Sequence, residues 1–448
     1  MSEQLIAAFG RTAREVPAYR QILSESGTNP GEVSTPDDFK RLVPIIDKAS
    51  TFDRFSLPEL CRDGHCGQLL SVLTSSGHSG RFSFGLYDVD MAAAEVGRID
   101  DILDMLLGVR SRPTLLINCL PMGVKVPTQA CTLAETSVRA DMATALVARL
   151  GQQYDQLILV GEAAFIKLVL ESGLEQEIDW RKMLVHVIVG EEPLAENARM
   201  YFQDLLGCDG VSAESGLIGS SMGAAELGLN LFLELPPLVM LRQTLHKDAS
   251  LRSDILGRDV TCVPMLFTYD PAHVFVETCG DDALVISTLQ PRRLPLIRYA
   301  TGDRARLLTL DELAPVIAAC GLAPEHLPPN PVIVAVYGRD KCARAGEQLI
   351  YPEQVKEGLY ARAELAKLTT ANFRILSGPD EATIRIQLSP GLAPDDGVDE
   401  RFAEAIAEYV CAPFGIRCER YETFGSGMAL DYERKFDYLG DDREMHGQ

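Results

Sequence analysis

From residue 70 onward the chain repeats one unit: a short apolar run, a polar turn, then an amphipathic stretch of helical period. Residues 69–73, 114–119, 157–160 and 185–189 read as short buried strands, and 91–107 and 137–150 as helices between them. Strands apolar at consecutive positions need cover on both faces, and parallel neighbours need crossovers of helical length. The alternation therefore predicts a doubly covered, mainly parallel sheet. Upstream, helices broken at Pro17, Pro30-Gly31 and Pro36 are expected, with Ser34-Thr35-Pro36-Asp37-Asp38 as a capping signal before Phe39.

Between 260 and 310 the texture changes to short strands rich in β-branched residues, with turns such as Gly280-Asp281-Asp282. Residues 322–331 carry four prolines and read as a connection. Beyond 338, helical stretches (352–361 and 399–409) alternate with strands (373–376 and 382–388). A chain of 448 residues exceeds what one core usually organises. The expected fold is α/β: a large N-terminal domain (1–338) with mainly parallel sheets covered by helices, and a small mobile C-terminal α+β domain (339–448).

Charge narrows the function classes. Lys and Arg number 42 against 64 Asp and Glu, a formal net charge of −22. That field opposes binding to nucleic acid or an anionic membrane, so a polyphosphate would have to be gripped locally. Eleven scattered cysteines, an odd number, suit free thiols in a reducing compartment. Without a signal-peptide pattern or a membrane-length apolar run, the expectation is a cytoplasmic protein. A homodimer is the default quaternary expectation.

Four segments carry residue types suited to nucleotide chemistry. Thr74-Ser75-Ser76-Gly77-His78-Ser79-Gly80-Arg81 follows a strand candidate and packs hydroxyls and glycines into a loop able to wrap phosphates, without a Walker ending. Ser220-Ser221-Met222-Gly223-Ala224-Ala225-Glu226 ends in a carboxylate, the ligand type a hard cation prefers, although a Glu after small residues is also an ordinary helix start. Pro295-Leu296-Ile297-Arg298-Tyr299-Ala300-Thr301-Gly302-Asp303 ends in an Asp, and a carboxylate can accept both hydroxyls of a diol; a plain Gly-Asp turn is the bland alternative. Tyr337-Gly338-Arg339-Asp340-Lys341 precedes Gly346 and the run to Val355, and by itself would be a polar interdomain turn.

In order and spacing these segments resemble the motifs of the adenylate-forming acyl/aryl-CoA ligases, in particular the phenylacetate–CoA ligase branch. The first is similar to the T-S-G-T-T-G-K signature, with His78 and Arg81 as departures. The second is similar to the aromatic-Gly-x-Thr-Glu motif, with Met222 and Ala225 as departures. The third is very similar to R-Y-x-T-G-D, and the fourth resembles the hinge segment that the family writes G-R-x-D followed by G-x-x-I-x-P.

What the resemblance implies is specific. ATP would be held by residues 74–81, Met222 would lie against adenine, and Asp303 would hold the ribose. Glu226 would hold Mg²⁺, Arg339 would reach ribose or phosphates, and Asp340 would be the hinge of the small domain. Gly190-Glu191-Glu192-Pro193 resembles the G-A-E-P segment near adenine. Leu120-Pro121-Met122-Gly123 stands where the family puts its acid pocket, which Ser221 and Gly223 would complete. Lys435 is the candidate for the C-terminal catalytic lysine, with Arg434 as a substitute and a solvated lysine as the alternative. Catalysis would fall to Lys435, Glu226 and Arg339.

The implied reaction is ATP-dependent activation of a small, aromatic carboxylic acid to an acyl-adenylate, followed by transfer to CoA. Transfer to a carrier protein or amine, or a non-catalytic nucleotide-binding role, are the alternatives. Cys61, His65 and Cys66, and the looser set His246, Cys262, His273 and Cys279, lack paired zinc-ligand spacing and read as incidental.

Overall fold

The computed structural model describes residues 2–75, 82–121, 124–258, 260–339, 341–395, 397–424 and 436–440. At its centre a six-stranded sheet runs in the order Thr132–Glu135, Thr114–Asn118, Gln156–Gly161, Val185–Val189, Ile218–Ala224, Gly228–Leu233. The first five strands are parallel and the last is antiparallel. Thr114–Asn118 and Gln156–Gly161 are buried at every position, as their unbroken apolar runs require.

Successive strand residues face opposite sides, and the two sides build separate cores. Leu115, Ile117, Leu157 and Leu159 pack into the main cluster with Val147 and Phe165 of the crossover helices Ala140–Leu150 and Ala163–Glu175. Leu116, Ile158 and Val160 face a smaller aliphatic cluster with Ile99, Leu103 and Leu107 of the long helix Val89–Leu107. That helix begins at Asp88, whose side chain accepts the Met91 N–H, and ends at left-handed Gly108.

A second sheet of five strands, Val274–Cys279, Ala283–Thr288, Tyr299–Thr309, Val332–Arg339 and Met265–Phe267, is antiparallel throughout. The N-terminal helices Ser2–Glu15, Pro17–Glu25 and Pro36–Leu42 follow the proline breaks, and Thr35 and Asp38 form the expected capping box. Ile46 then pairs with Tyr299, which brings residues 46–48 to the edge of this sheet.

One expected strand differs. Residues 69–73 do not join the buried sheet; Ser71–Thr74 pairs antiparallel with Phe84–Tyr87 alone. Leu70 is 65% and Val72 48% exposed. A two-stranded ribbon has an outer face with nothing to cover it, so an apolar run here marks a hairpin and not a core strand.

The smaller C-terminal domain joins Thr369–Leu376 antiparallel to Ala382–Leu388, and Ala382–Leu388 parallel to Phe414–Glu419. Helix Val398–Ala407 supplies the crossover that a parallel pair needs. Helix Pro352–Tyr360 meets the large domain: the Glu357 carboxylate accepts the N–H groups of Glu196 and Asn197 at 2.8 and 3.0 Å. Those are orphan donors at the start of helix Glu196–Leu206, so a residue of the small domain caps a helix of the large one. Residues 436–440 return along Thr369–Leu376, with the Ile375 N–H donating to the Tyr438 carbonyl at 2.8 Å. Among the described residues no helix is long and apolar enough to cross a membrane.

Candidate active site

A cleft opens where the two domains face each other, and most of the described candidates converge on it. Glu191, Glu192, Pro193, Ser221, Met222, Gly223, Asp303 and Arg339 all line it. Asp303 and Arg339 are register partners on adjacent antiparallel strands, and Arg339 Nε stands 3.8 Å from Asp303 Oδ1. Gly302, just before Asp303, sits at φ +82 inside strand Tyr299–Thr309, where the pairing register shifts, and a side chain there would be strained. Arg298, five residues earlier, serves architecture instead. It is buried, pairs with Glu277 at 2.7 Å, and donates to the carbonyls of Lys40 and Val43.

Glu226 is not a helix start. It lies in the turn between strands Ile218–Ala224 and Gly228–Leu233, and it is buried. Its carboxylate accepts from the Ser83 hydroxyl at 2.7 Å and the Tyr299 hydroxyl at 2.9 Å. Burial, then the Glu226 charge, pushes the Tyr299 hydroxyl far up, so it remains a donor at any working pH.

Lys48 was not among the sequence candidates. It donates to the Ser75 hydroxyl at 3.2 Å, and Ser75 also accepts the Ser83 N–H. Burial lowers its pKa against the pull of Glu226, and Arg339 lowers it further. Its sequence signal was the single basic residue in Pro44-Ile45-Ile46-Asp47-Lys48, which periodicity cannot distinguish from a surface lysine. Thr74 is exposed at the end of its strand. Ser76, Gly77, His78, Ser79, Gly80, Arg81, Met122, Gly123, Asp340, Arg434 and Lys435 lie outside the described residues.

The far wall comes from the small domain. Glu192 Oε2 accepts from Lys356 Nζ at 2.5 Å and from the Tyr438 hydroxyl at 2.7 Å, and Lys356 also sits 4.2 Å from the centre of the Tyr438 ring. Burial alone would depress Lys356, but Glu192 and Glu353 outweigh it and raise its pKa. Beside it, burial pushes Glu353 up to about 7, and its Oε2 is shielded from water with no hydrogen-bond partner. Lys356, Glu353 and Tyr438 were also missed, because nothing local in the chain says that they meet Glu192.

Behind Glu191, Ser221 and Gly223 lies a second, apolar cavity. Leu120 lines it, and so does Gly190, which the family resemblance puts near adenine; Glu191, Ser220, Ser221 and Gly223 line both cavities. A Cβ on Gly190 would meet only Leu120, at 3.8 Å, so there is room beside it.

The described cysteines and histidines are dispersed. The eleven cysteines stand outside any disulfide, and the Cys61 and Cys66 sulfurs are 3.9 Å apart. His246 bonds to Asn197 and stacks on Tyr409, while His273 pairs with Asp270. Among the described residues no three His, Cys, Asp or Glu side chains are arranged to hold a metal.

Two layers of structure with a facing small domain define a known class: the fold is that of acyl-CoA ligases solved with acyl-AMP. A 2-hydroxyisobutyryl-CoA ligase in its postadenylation state with R3-HIB-AMP superposes at a TM-score of 0.72 and 13% identity, over 99% of this chain and 89% of that chain. The same ligase with 2-HIB-AMP gives 0.71 and 14% over the same shares. Its open conformation with 2-HIB-AMP and CoA gives 0.57 and 13%, over 98% and 90%. No family model and no curated protein sequence matches the chain.

Proposed function

We propose that this protein uses ATP to activate a carboxylic acid as an acyl-adenylate and then passes the acyl group to CoA, as a carboxylate–CoA ligase. The observation that carries the reading is the shared wall. Glu191, Ser220, Ser221 and Gly223 border both a polar cleft with a carboxylate–guanidinium pair and an apolar cavity. A nucleotide in one and an acid in the other would bring α-phosphate and carboxylate together at that wall, and such positioning supplies much of the rate. The motif order and the fold of the CoA ligases support it.

In this reading Asp303 accepts both ribose hydroxyls, and Arg339 steers ribose or phosphates. Glu191, Glu192, Pro193 and Met222 flank the adenine. The 74–81 loop and Lys48 hold the phosphates, and Lys435 stabilises the charge that develops at the α-phosphate. Its chain neighbours Phe436 and Asp437 line the cleft. Glu226 suits Mg²⁺: each of its oxygens accepts one hydroxyl and retains a lone pair, and Mg²⁺ takes few protein ligands beside phosphates and water. The carboxylate oxygen bonds to the α-phosphorus as the bond to pyrophosphate breaks. The CoA thiol, losing its proton, then takes the acyl group and AMP departs.

The domain boundary is assigned between 338 and 339, with Asp340 as the hinge. Support comes from strand Val332–Arg339, the last of the antiparallel sheet. The higher TM-score on the postadenylation state than on the open state fits a small domain positioned after adenylation. The test is ATP–pyrophosphate exchange across a panel of acids, with and without CoA. Exchange with one acid class, and thioester only when CoA is added, is the expected result. Tight ATP binding without exchange for any acid would overturn the assignment.

A further inference from the structure

The motif resemblance favours an aryl acid, and the cavity behind the shared wall argues for a different substrate. One side is helix Val89–Leu107, which presents Ile99, Ile102, Leu103 and Leu106 at the i, i+3, i+4, i+7 spacing of a single face. The opposite side is the sheet face carrying Leu116, Val160 and Ile188. Leu120, Val124 and Val126 close one end. Among the described residues lining it there is no Phe, Tyr or Trp.

Aromatic rings gain orientation from edge-to-face or offset contacts with other rings, and this wall offers none. Away from the shared wall of Glu191, Ser220 and Ser221, polar functions on a ring would find little either. Glu234, on the wall, is committed to Arg199 and Arg242, and Lys125 pairs with Glu135 at the solvent rim; Asn230 adds an amide. What the cavity does offer is a gap between a helix and a sheet, faced by branched aliphatic side chains. A flexible alkyl chain fills such a gap, and each methylene taken from water is worth about fourfold in affinity. The cavity meets the cleft at Glu191, Ser220, Ser221 and Gly223.

Building on the ligase reading, we propose that the activated acid is a saturated aliphatic carboxylic acid of medium chain length. Its alkyl chain lies between helix Val89–Leu107 and the parallel sheet, and its carboxylate reaches the wall at Ser221 and Gly223.

The experiment has a binding arm and a catalytic arm on the full-length protein. Calorimetric titration with butyrate, hexanoate, octanoate and phenylacetate measures the cavity without requiring turnover. Octanoate is expected to bind at least tenfold tighter than butyrate or phenylacetate. Leu106→Trp, at a half-buried position, is expected to cost octanoate at least tenfold while leaving ATP affinity unchanged. Ile102→Ala, which enlarges the same wall, is expected to shift the preference toward decanoate and guards against a misfolded tryptophan variant. Phenylacetate binding tighter than octanoate, or no acid binding at all, overturns the inference. Octanoate binding that is sensitive to Leu106→Trp but produces no pyrophosphate exchange upholds the cavity's ligand class and removes the ligase reading instead.

Discussion

The two cavities that meet at Ser220–Gly223 are built by opposite rules. The polar cleft is assembled from strand residues and chain segments of both domains: Asp303, Arg339, Glu191-Glu192-Pro193 and the C-terminal residues 436–439. Each of its parts is a short string in which a glycine or a charged residue is indispensable. The apolar cavity is assembled from the flanks of regular elements, where any branched aliphatic residue of similar volume would serve. Charge and geometry set the first, whereas volume and shape set the second. Substitutions in one should therefore leave the chemistry of the other untouched.

That separation can be broken by experiment, starting where the effect should be greatest. Lys435→Ala should lower the rate of pyrophosphate exchange by about 10²–10³-fold, the scale on which a charge-stabilising donor acts. ATP affinity measured by titration should change little, and unchanged exchange would move the role to Arg434. In the ligase reading Asp303→Ala would remove two charge-assisted hydrogen bonds to the ribose, and it should raise the KM for ATP about 100-fold. The variant should also cease to discriminate ATP from 2′-deoxy-ATP, a loss that a general folding defect would not produce.

Lys48→Met should weaken ATP about tenfold and leave the ranking of acids intact; a changed ranking would mean that the two cavities are coupled. Gly190→Val, on the lining of the apolar cavity, should do the reverse, raising the KM for the acid about tenfold by crowding the space beside Leu120, with a smaller effect on ATP.

The smallest effect concerns stability. Burial holds the Glu353 carboxyl protonated up to about pH 7, so the folded state binds this proton more tightly than the unfolded chain does. Stability is therefore lost as pH rises from the ordinary carboxylate range to 7. Glu353→Gln removes that loss. Its melting temperature should match the parent at pH 5 and exceed it by roughly 2–4 °C at pH 8, read by thermal denaturation.

Legibility in the sequence followed the same division. The buried strands could be read because a parallel strand covered on both faces is apolar without interruption, as in Thr114–Asn118 and Val185–Val189. The same rule misread 69–73, since an exposed ribbon can also carry Leu and Val. Asp303, Arg339, Glu191 and Met222 were legible from short strings and do share one cleft. Lys48, Glu353, Lys356 and Tyr438 were not, because a lysine on a loop or a Glu in a first helical turn looks the same whether it faces water or a ligand.

The sequence by itself determined the alternation of strands and helices, the order of the nucleotide-type segments, and the left-handed glycine before Asp303. These depend on local backbone preference and on patterns that a few consecutive residues can express. Tertiary structure alone decided that Glu226 is clasped by Ser83 and Tyr299, that Glu192 gathers Lys356 and Tyr438 from the other domain, and that an aliphatic slot stands behind the polar cleft. Those partners lie between 73 and 246 residues apart, and contact across such separations is set by how sheets and helices pack, which no local pattern encodes.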